Sequence, residues 1–235
     1  MITIHDKTHN TDYTVEKGTT LLALSRQCCP KADPPVAAAL YNNELAGLQT
    51  KIEENEDVAW YQLNTLEGNQ CIIRTAILLL VRAVAELYPD GKVLVKHALR
   101  KSLYCELEIG HNVTIHHVEA IKRRMDEIVE QDEVITQVKV SARTALAMCH
   151  NRDLKHEAEL LSHVDVPYVL AYQCGQILDY YMGPILPRMG YLTCFNLRLY
   201  APGIILEYPK VENPNELPPY KEIPKMARLF LEADA

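Results

Sequence analysis

Histidine and cysteine have the widest chemistry in this chain, because both side chains bind metals and take part in catalysis. Their spacing forms no metal motif: no CxxC pair occurs, and His116 and His117 are neighbours at a predicted helix start, where adjacent side chains point about 100° apart. The other candidates are spread over several predicted elements: Cys149, His150, His156 and His163. A zinc site needs about four converging ligands. The sequence therefore predicts no metal site.

Two arginines on the first long predicted helix are the best candidates for binding an anion. Arg74 and Arg82 are eight residues apart and share nearly one helix face. A guanidinium there could hold a phosphate or a carboxylate. A structural ion pair with Asp179 is the alternative, because a buried charge needs a partner.

Tyrosines and a short basic run are the remaining candidates for ligand contact. Tyr172, Tyr180 and Tyr181 could stack on a base. The alternative is a place in the core with hydrogen-bonded hydroxyls. The run Lys122-Arg123-Arg124 could touch RNA phosphates, but acidic neighbours on the same predicted helix favour a solvated, ion-paired face.

Length and composition limit the function classes. The chain has 235 residues, 48% of them hydrophobic, which suits one large or two smaller globular domains. Its net charge of −7 argues against a protein that coats nucleic acid. Neither GxxxxGK[ST] nor GxGxxG occurs, so no loop for nucleotide phosphates is predicted.

Seven scattered cysteines and the absence of an apolar start indicate the compartment. The odd number of cysteines without local pairing predicts reduced thiols. The sequence also lacks a signal peptide and any apolar run of about 18 residues. We therefore expect a cytoplasmic protein that does not cross a membrane.

The pattern of residues predicts a small mixed unit in the first 65 residues. Two strands, a helix capped by Thr19-Thr20 and closed by Pro30, and three further strands are expected there. An Asn42-Asn43 turn joins two of the strands. Residues 64–70, which include Gly68, are predicted to form a polar linker.

After residue 70 the hydrophobic period becomes helical, and a larger unit is predicted. Its expected elements are a helix over 72–87, paired strands at 92–99 and 103–109, a helix from Thr114 to 131, a strand at 134–140, a short helix after Ser141, a helix over 154–162, and strands at 168–172, 177–181, 195–200 and 203–208. Prolines then dominate 209–224, which predicts an extended segment before a helix at 227–233.

Residues 1–64 resemble a TGS domain, the small module at the front of threonyl-tRNA synthetase. The stretches that carry this resemblance are Val15-Glu16-Lys17-Gly18-Thr19-Thr20-Leu21-Leu22 and Tyr41-Asn42-Asn43-Glu44-Leu45. The resemblance implies a ubiquitin-like β-grasp fold.

Residues 71–208 resemble the second additional domain of the same synthetase, which edits mischarged tRNA. The matching stretches appear in the family's order: 83–89, 103–107, 118–125 and 179–184. Together the two resemblances imply an α+β chain, with a small β-grasp unit followed by a larger α+β unit.

The editing domain carries HxxxH on its first helix and CxxxH before its closing strands. These motifs fall on Arg74 and Leu78, and on Tyr181 and Ile185. Leucine and isoleucine neither ligate a metal nor move a proton. The resemblance therefore implies a degenerate editing site without catalytic residues. The candidate ligand-binding residues of such a cleft are Arg74, Arg82, Tyr104, Asp179, Tyr180 and Tyr181.

The same two units with a Pro-rich exit also resemble the front half of a bacterial nucleoside kinase related to uridine kinase. That resemblance makes residues 209–235 a linker to a P-loop kinase domain beyond this chain. It implies a non-catalytic regulatory region that binds RNA or a small molecule, with its own kinase domain as a partner. ATP and Mg would belong to that domain alone, and no cofactor is expected in this chain. The alternatives are an RNA-binding module derived from the synthetase and a divergent aminoacyl-tRNA editing protein.

Overall fold

The computed structural model describes residues 1–99, 101–163 and 165–219. The helix predicted at 227–233 and the end of the predicted linker lie outside the described residues. Residues 209–219 form neither helix nor strand, as the prolines predict. Within the described residues, no helix combines the length and the apolar character that a membrane span needs.

The first unit contains five strands and one helix in the predicted order. Its elements are β1 (Ile2–Asp6), β2 (Thr11–Val15), α1 (Leu21–Cys28), β3 (Val36–Tyr41), β4 (Glu44–Gly47) and β5 (Glu56–Gln62). The sheet order is β2-β1-β5-β3-β4. The central pair, β1 and β5, is parallel, and the other pairs are antiparallel.

Local sequence signals explain these elements. The Thr20 side chain accepts a hydrogen bond from the Ala23 N–H and so caps α1. Asn42 and Asn43 both have positive φ, at 52° and 56°, as a tight hairpin turn requires. Leu21 is completely buried in a core shared with the strands, which holds α1 against the sheet.

A buried carboxylate makes this unit sensitive to acid. Asp6 is completely buried, and its carboxylate is hydrogen-bonded to the His9 ring at 2.7 Å and to the Thr8 N–H at 2.9 Å. Burial raises the pKa of Asp6, but the hydrogen bonds from His9 and Thr8 outweigh burial and hold the pKa below its ordinary value of 3.8.

We predict that Asp6 contributes stability that acid removes. Because its folded pKa lies below the unfolded value, the contribution is complete above the unfolded pKa and disappears as pH falls through the folded pKa. Urea unfolding at a series of acid pH values measures this loss. Asp6→Asn should be less stable at neutral pH and should show a shallower acid dependence. Identical pH profiles for the two proteins would contradict the prediction.

The predicted linker at 64–70 is wrong, because helix α2 (Leu66–Leu87) begins inside it. Thr65 caps the helix by accepting a hydrogen bond from the Gly68 N–H at 3.0 Å. A Cβ on Gly68 would lie 2.1 Å from the Gln62 carbonyl oxygen. Gly68 therefore allows α2 to pack closely against the end of β5, and it does not form a flexible connection.

The second unit packs helices against two sheets. Its remaining elements are β6 (Lys92–Ala98), β7 (Ser102–Glu108), α3 (Ile115–Glu130), β8 (Thr136–Ser141), α4 (Ala142–Asn151), α5 (Lys155–Ser162), β9 (Tyr168–Cys174), β10 (Ile177–Asp179), a 3-10 turn (Met189–Tyr191), β11 (Asn196–Tyr200) and β12 (Gly203–Glu207). One sheet has the order β10-β9-β8, and the other has the order β11-β12-β7-β6. The α+β class is confirmed.

The core of the second unit forms around α2 and α3. Ile121 and Met125 on the predicted apolar face of α3 are completely buried with Leu79 and Leu80 of α2. The strand predicted over 177–181 is shorter than expected and ends at Asp179. The chain leaves the sheet there and turns toward α2.

Candidate functional site

The structure brings together the two segments that align with the editing motifs. Arg74 lies on α2, and its Nη1 donates to the Pro184 carbonyl at 3.2 Å. The neighbouring Thr75 hydroxyl accepts from the Leu186 N–H at 2.9 Å. Hydrogen bonds therefore hold residues 181–186 against α2, beside the positions onto which the motifs fall.

Apolar packing fills the place where editing chemistry is expected. Leu78 and Ile185 are 0% exposed and belong with Tyr181 to the core around α2. None of the three side chains can act as a metal ligand or as a general base near neutral pH, because burial raises the pKa of Tyr181 well above its ordinary value. These positions form part of the protein interior.

Gly183 lies under the Arg74 guanidinium in a left-handed backbone conformation that favours glycine. Gly183 has φ +112°, and a Cβ there would lie 2.9 Å from the Arg74 Cζ. We predict that Gly183→Ala lowers the free energy of unfolding by about 1–3 kcal/mol, because both the backbone and the contact are strained. Urea unfolding measures the loss.

Two comparisons separate the two sources of strain. Gly110 has φ +83° with no atom within 4 Å of a Cβ, so Gly110→Ala reports the backbone cost alone. In an Arg74→Ala background, Gly183→Ala should cost less than in the wild-type chain. Equal costs in both backgrounds would show that Arg74 does not constrain this position.

Asp179 is buried with Arg152, and this corrects the predicted ion pair with Arg74 or Arg82. Arg152 Nη1 donates to Asp179 Oδ2 at 2.6 Å, and both side chains are less than 10% exposed. The Arg152 guanidinium carbon also lies 4.9 Å from the Tyr181 ring centroid. Neither Arg152 Nε nor the Tyr181 hydroxyl has a hydrogen-bond partner among the described residues.

Arg82 is committed to a different ion-pair network. It donates to Glu86 at 2.8 Å and to both carboxylate oxygens of Glu133, at 2.7 and 2.9 Å. It also lies 3.0 Å from the Cys174 sulfur. Burial lowers the pKa of the Arg82 guanidinium, but the hydrogen bonds to Glu133 and Glu86 raise the pKa by more than burial lowers it. Arg82 therefore keeps its positive charge. Arg74 and Arg82 therefore face different neighbours and do not share a site.

The predicted tyrosine candidates are divided among separate clusters. Tyr104 packs with Leu99 and Ile205 in a small cluster, with its ring 6.0 Å from that of Tyr200. Tyr180 joins the cluster formed by α4 and α5, and Tyr172 lies in the core around α2. All three predicted stacking residues are buried: Tyr172, Tyr180 and Tyr181. The structure therefore supports their core interpretation.

The remaining chemistry-bearing residues are the histidines, the cysteines and the basic run on α3. Among the described residues, no group of three histidine, cysteine, aspartate or glutamate side chains can hold a metal ion. Burial raises the pKa of the Cys71 and Cys105 thiols to about 12, so neither is a thiolate near neutral pH. Lys122 pairs with Asp126 at 2.6 Å, which agrees with a solvated helix face.

Sequence reasoning missed Arg152. It lies just after α4 in a stretch with no motif, and its partner Asp179 is 27 residues away. The only available signal was that Asp179, inside an apolar strand, needs a cation. That signal could not select one arginine among several.

The comparisons with known proteins agree with the ligase-like part of the sequence interpretation. No protein-family model matches the chain. The chain is similar to the threonine–tRNA ligase of Porphyromonas gingivalis W83, at 26% identity over 77% of the chain and 28% of the relative. It is also similar to threonine–tRNA ligase 2 of Bacillus subtilis 168, at 27% identity over 77% of the chain and 28% of the relative. A third relative, from Syntrophotalea carbinolica, is 30% identical over 70% of the chain and 26% of the relative.

The chain thus contains a region that is similar to threonine–tRNA ligases. It spans less than a third of the length of these relatives. These relatives give no support to the predicted link with uridine kinase.

Proposed function

We propose that this chain is an RNA-binding module related to the front of threonine–tRNA ligase, which binds tRNA-like RNA without hydrolysing an aminoacyl ester. The similarity to ligases supports the RNA class of ligand. The interior of the second unit supports the absence of hydrolysis.

The first unit supports a TGS module in this proposal. Its five-stranded sheet has a parallel central pair, β1 and β5, and one helix packed across one face. This arrangement fits the β-grasp fold that the sequence resemblance implies. The second unit then takes the place of the editing domain. The sequence resemblance covers residues 71–208, and helix α2 extends the unit back to Leu66.

The packing of the motif positions is the observation that carries the proposal. Leu78 and Ile185 are completely buried, and Arg74 is held by the Pro184 carbonyl. A hydrolytic site needs a base and an activated water or nucleophile within reach of the ester. The four motif positions supply neither, which supports the absence of hydrolysis, while the RNA ligand rests on the similarity to ligases.

Two assays test the proposal together. A gel-shift titration with a tRNA transcript should show binding that strengthens as salt is lowered, because phosphate contacts release counterions. A deacylation assay on Ser-tRNA(Thr) should show no turnover above the uncatalysed rate. Absence of binding at low salt would refute the RNA-binding proposal, and turnover would favour a divergent editing protein.

A regulatory role in a nucleoside kinase stays a prediction from the sequence. It rests on the resemblance of the two units and on the Pro-rich segment that starts at Pro209. Such a role would place ATP, Mg and phosphoryl transfer in a domain outside this chain. Uridine phosphorylation by the 235-residue chain alone would contradict that prediction.

A further inference from the structure

A groove of about 730 Å³ runs between the first unit and the β8–β9 sheet. The first unit contributes Leu22 and Lys51 to its lining, and the sheet contributes Lys139 and Leu170. The predicted editing-motif positions do not line it, so it is separate from the filled cleft.

Hydrogen bonds between the units fix the width of this groove. Gln49 Nε2 donates to the Leu186 carbonyl at 2.8 Å, and the Thr50 hydroxyl lies 3.5 Å from Gln137 Oε1. Gly47 also lies at this junction, where an added Cβ would be in ordinary contact with Gln137 Nε2 at 3.4 Å and with the Pro184 Cβ at 3.5 Å. The two walls are therefore held together at one end, as a preformed binding groove requires.

The charge of the groove is positive although the chain as a whole is acidic. Lys51 and Lys139 are exposed, and neither forms an ion pair with any residue that the structure describes. The carboxylate of the groove, Glu53, lies 3.3 Å from the Lys17 ammonium, which offsets its charge. Two ammonium groups are therefore left to meet an anion inside a protein of net charge −7.

Apolar and aromatic surface lies beside these lysines. Leu170 is 41% exposed and is paired with Lys139 across the β8–β9 ladder. Tyr168 is 64% exposed and, two residues earlier on β9, lies on the same face of the sheet. A flat ring and an aliphatic surface next to two cations suit a ligand that alternates planar bases with phosphates.

We propose that this groove binds a single-stranded segment of RNA, with phosphates at Lys51 and Lys139 and a base against Leu170 and Tyr168. The inference rests on the proposed RNA-binding function and assigns it a place. The volume of about 730 Å³ matches a pocket for one small ligand. A volume of this size has room for a short stretch of a single strand.

Binding of a short single-stranded RNA oligonucleotide, measured by fluorescence anisotropy at several salt concentrations, tests the inference. The variant K51Q/K139Q should bind more weakly, and the slope of log K against log salt should become shallower by about 1.4, since each phosphate contact of a single strand contributes about 0.7. Tyr168→Ala should weaken binding about 5- to 150-fold through lost stacking. Thermal unfolding of each variant controls for folding.

Two matched variants show whether the effect belongs to the groove. Lys31→Gln removes an exposed lysine of the first unit that lines a different pocket and forms no ion pair with the part of the chain that the structure describes. Arg123→Ala removes the exposed cation of the basic run on α3, which forms no ion pair within residues 1–99, 101–163 and 165–219. Both should retain the wild-type affinity and salt slope.

The outcomes separate this inference from the proposed function. A wild-type chain that binds neither the tRNA transcript nor the oligonucleotide would overturn both. Binding that is unchanged in K51Q/K139Q and Tyr168→Ala would overturn the groove assignment and leave the RNA-binding proposal standing. Occupation of the groove by an apolar peptide without any effect on RNA binding would also overturn the assignment.

Discussion

Replacing Asp179 by leucine should lower the free energy of unfolding by about 3–5 kcal/mol, because it leaves the guanidinium of Arg152 buried without its carboxylate. The two side chains are 2.6 Å apart and less than 10% exposed, so water cannot take the place of the missing partner. Urea unfolding monitored by circular dichroism measures the loss.

A more exposed ion pair with the same shortest N–O distance is the control. Asp126 pairs with Lys122 at 2.6 Å, but its side chain is 47% exposed. Asp126→Leu should therefore change stability by no more than about 1 kcal/mol. If Asp126→Leu and Asp179→Leu have equal effects, burial does not determine the value of the Arg152 pair.

Replacing both Arg152 and Asp179 should restore much of the free energy of unfolding that is lost in Asp179→Leu. In Arg152→Met/Asp179→Leu no buried charge remains, and apolar replacement of a buried pair is often neutral or stabilising. The double variant should therefore be more stable than Asp179→Leu alone. A double variant as unstable as the single one would show that the pair also maintains the shape of the turn from β10 to Tyr181.

Much of the fold could be predicted from the sequence because local signals determine its elements. The cap at Thr114, the apolar spacing of three and four residues along α3 and the asparagine turn at residues 42–43 each specify their own geometry. The prediction of a linker at residues 64–70 is wrong because packing, and not a local signal, determines the structure there. Residues 64–70 look polar and contain Gly68, but Gly68 is needed for contact with Gln62, which is information about packing and not about local preference.

The candidate site was only partly predictable for the same physical reason. Alignment with motifs located Arg74 and Ile185, and the structure places their segments together. The partner of each charge depends on side chains from distant elements. Arg152 reaches Asp179 from the end of α4, and Glu133 reaches Arg82 from the turn before β8. Residue type and spacing within one helix could not select these partners.

The groove is formed by residues that are far apart in the sequence. Lys51 and Lys139 come from different units and share no motif. Their proximity depends on how the first unit sits against the second through Gln49 and Leu186. The negative net charge of the chain argues against RNA binding. The local positive surface becomes visible once the arrangement of the two units is known.

A histidine at position 78, where the second histidine of the HxxxH pattern falls, should destabilise the core without giving hydrolytic activity. Leu78→His is expected to lower the free energy of unfolding by about 2–5 kcal/mol, because it removes packing at a 0% exposed site and buries an imidazole without a polar partner. Leu87→His on the same helix, at a 40% exposed position, should stay within about 0.5 kcal/mol of the wild type.

The fourfold variant R74H/L78H/Y181C/I185H tests whether the residue types of the editing motifs give hydrolytic activity in this core. It restores the residue types of the editing motifs, but it also removes the Tyr181 ring that lies against Arg152 and the apolar side chains that fill the interior. We expect a poorly folded chain without turnover of Ser-tRNA(Thr). A stable, active fourfold variant would mean that the cleft can reopen around its old chemistry. In that case the non-hydrolytic assignment would depend on four side chains and not on the packing of the whole unit.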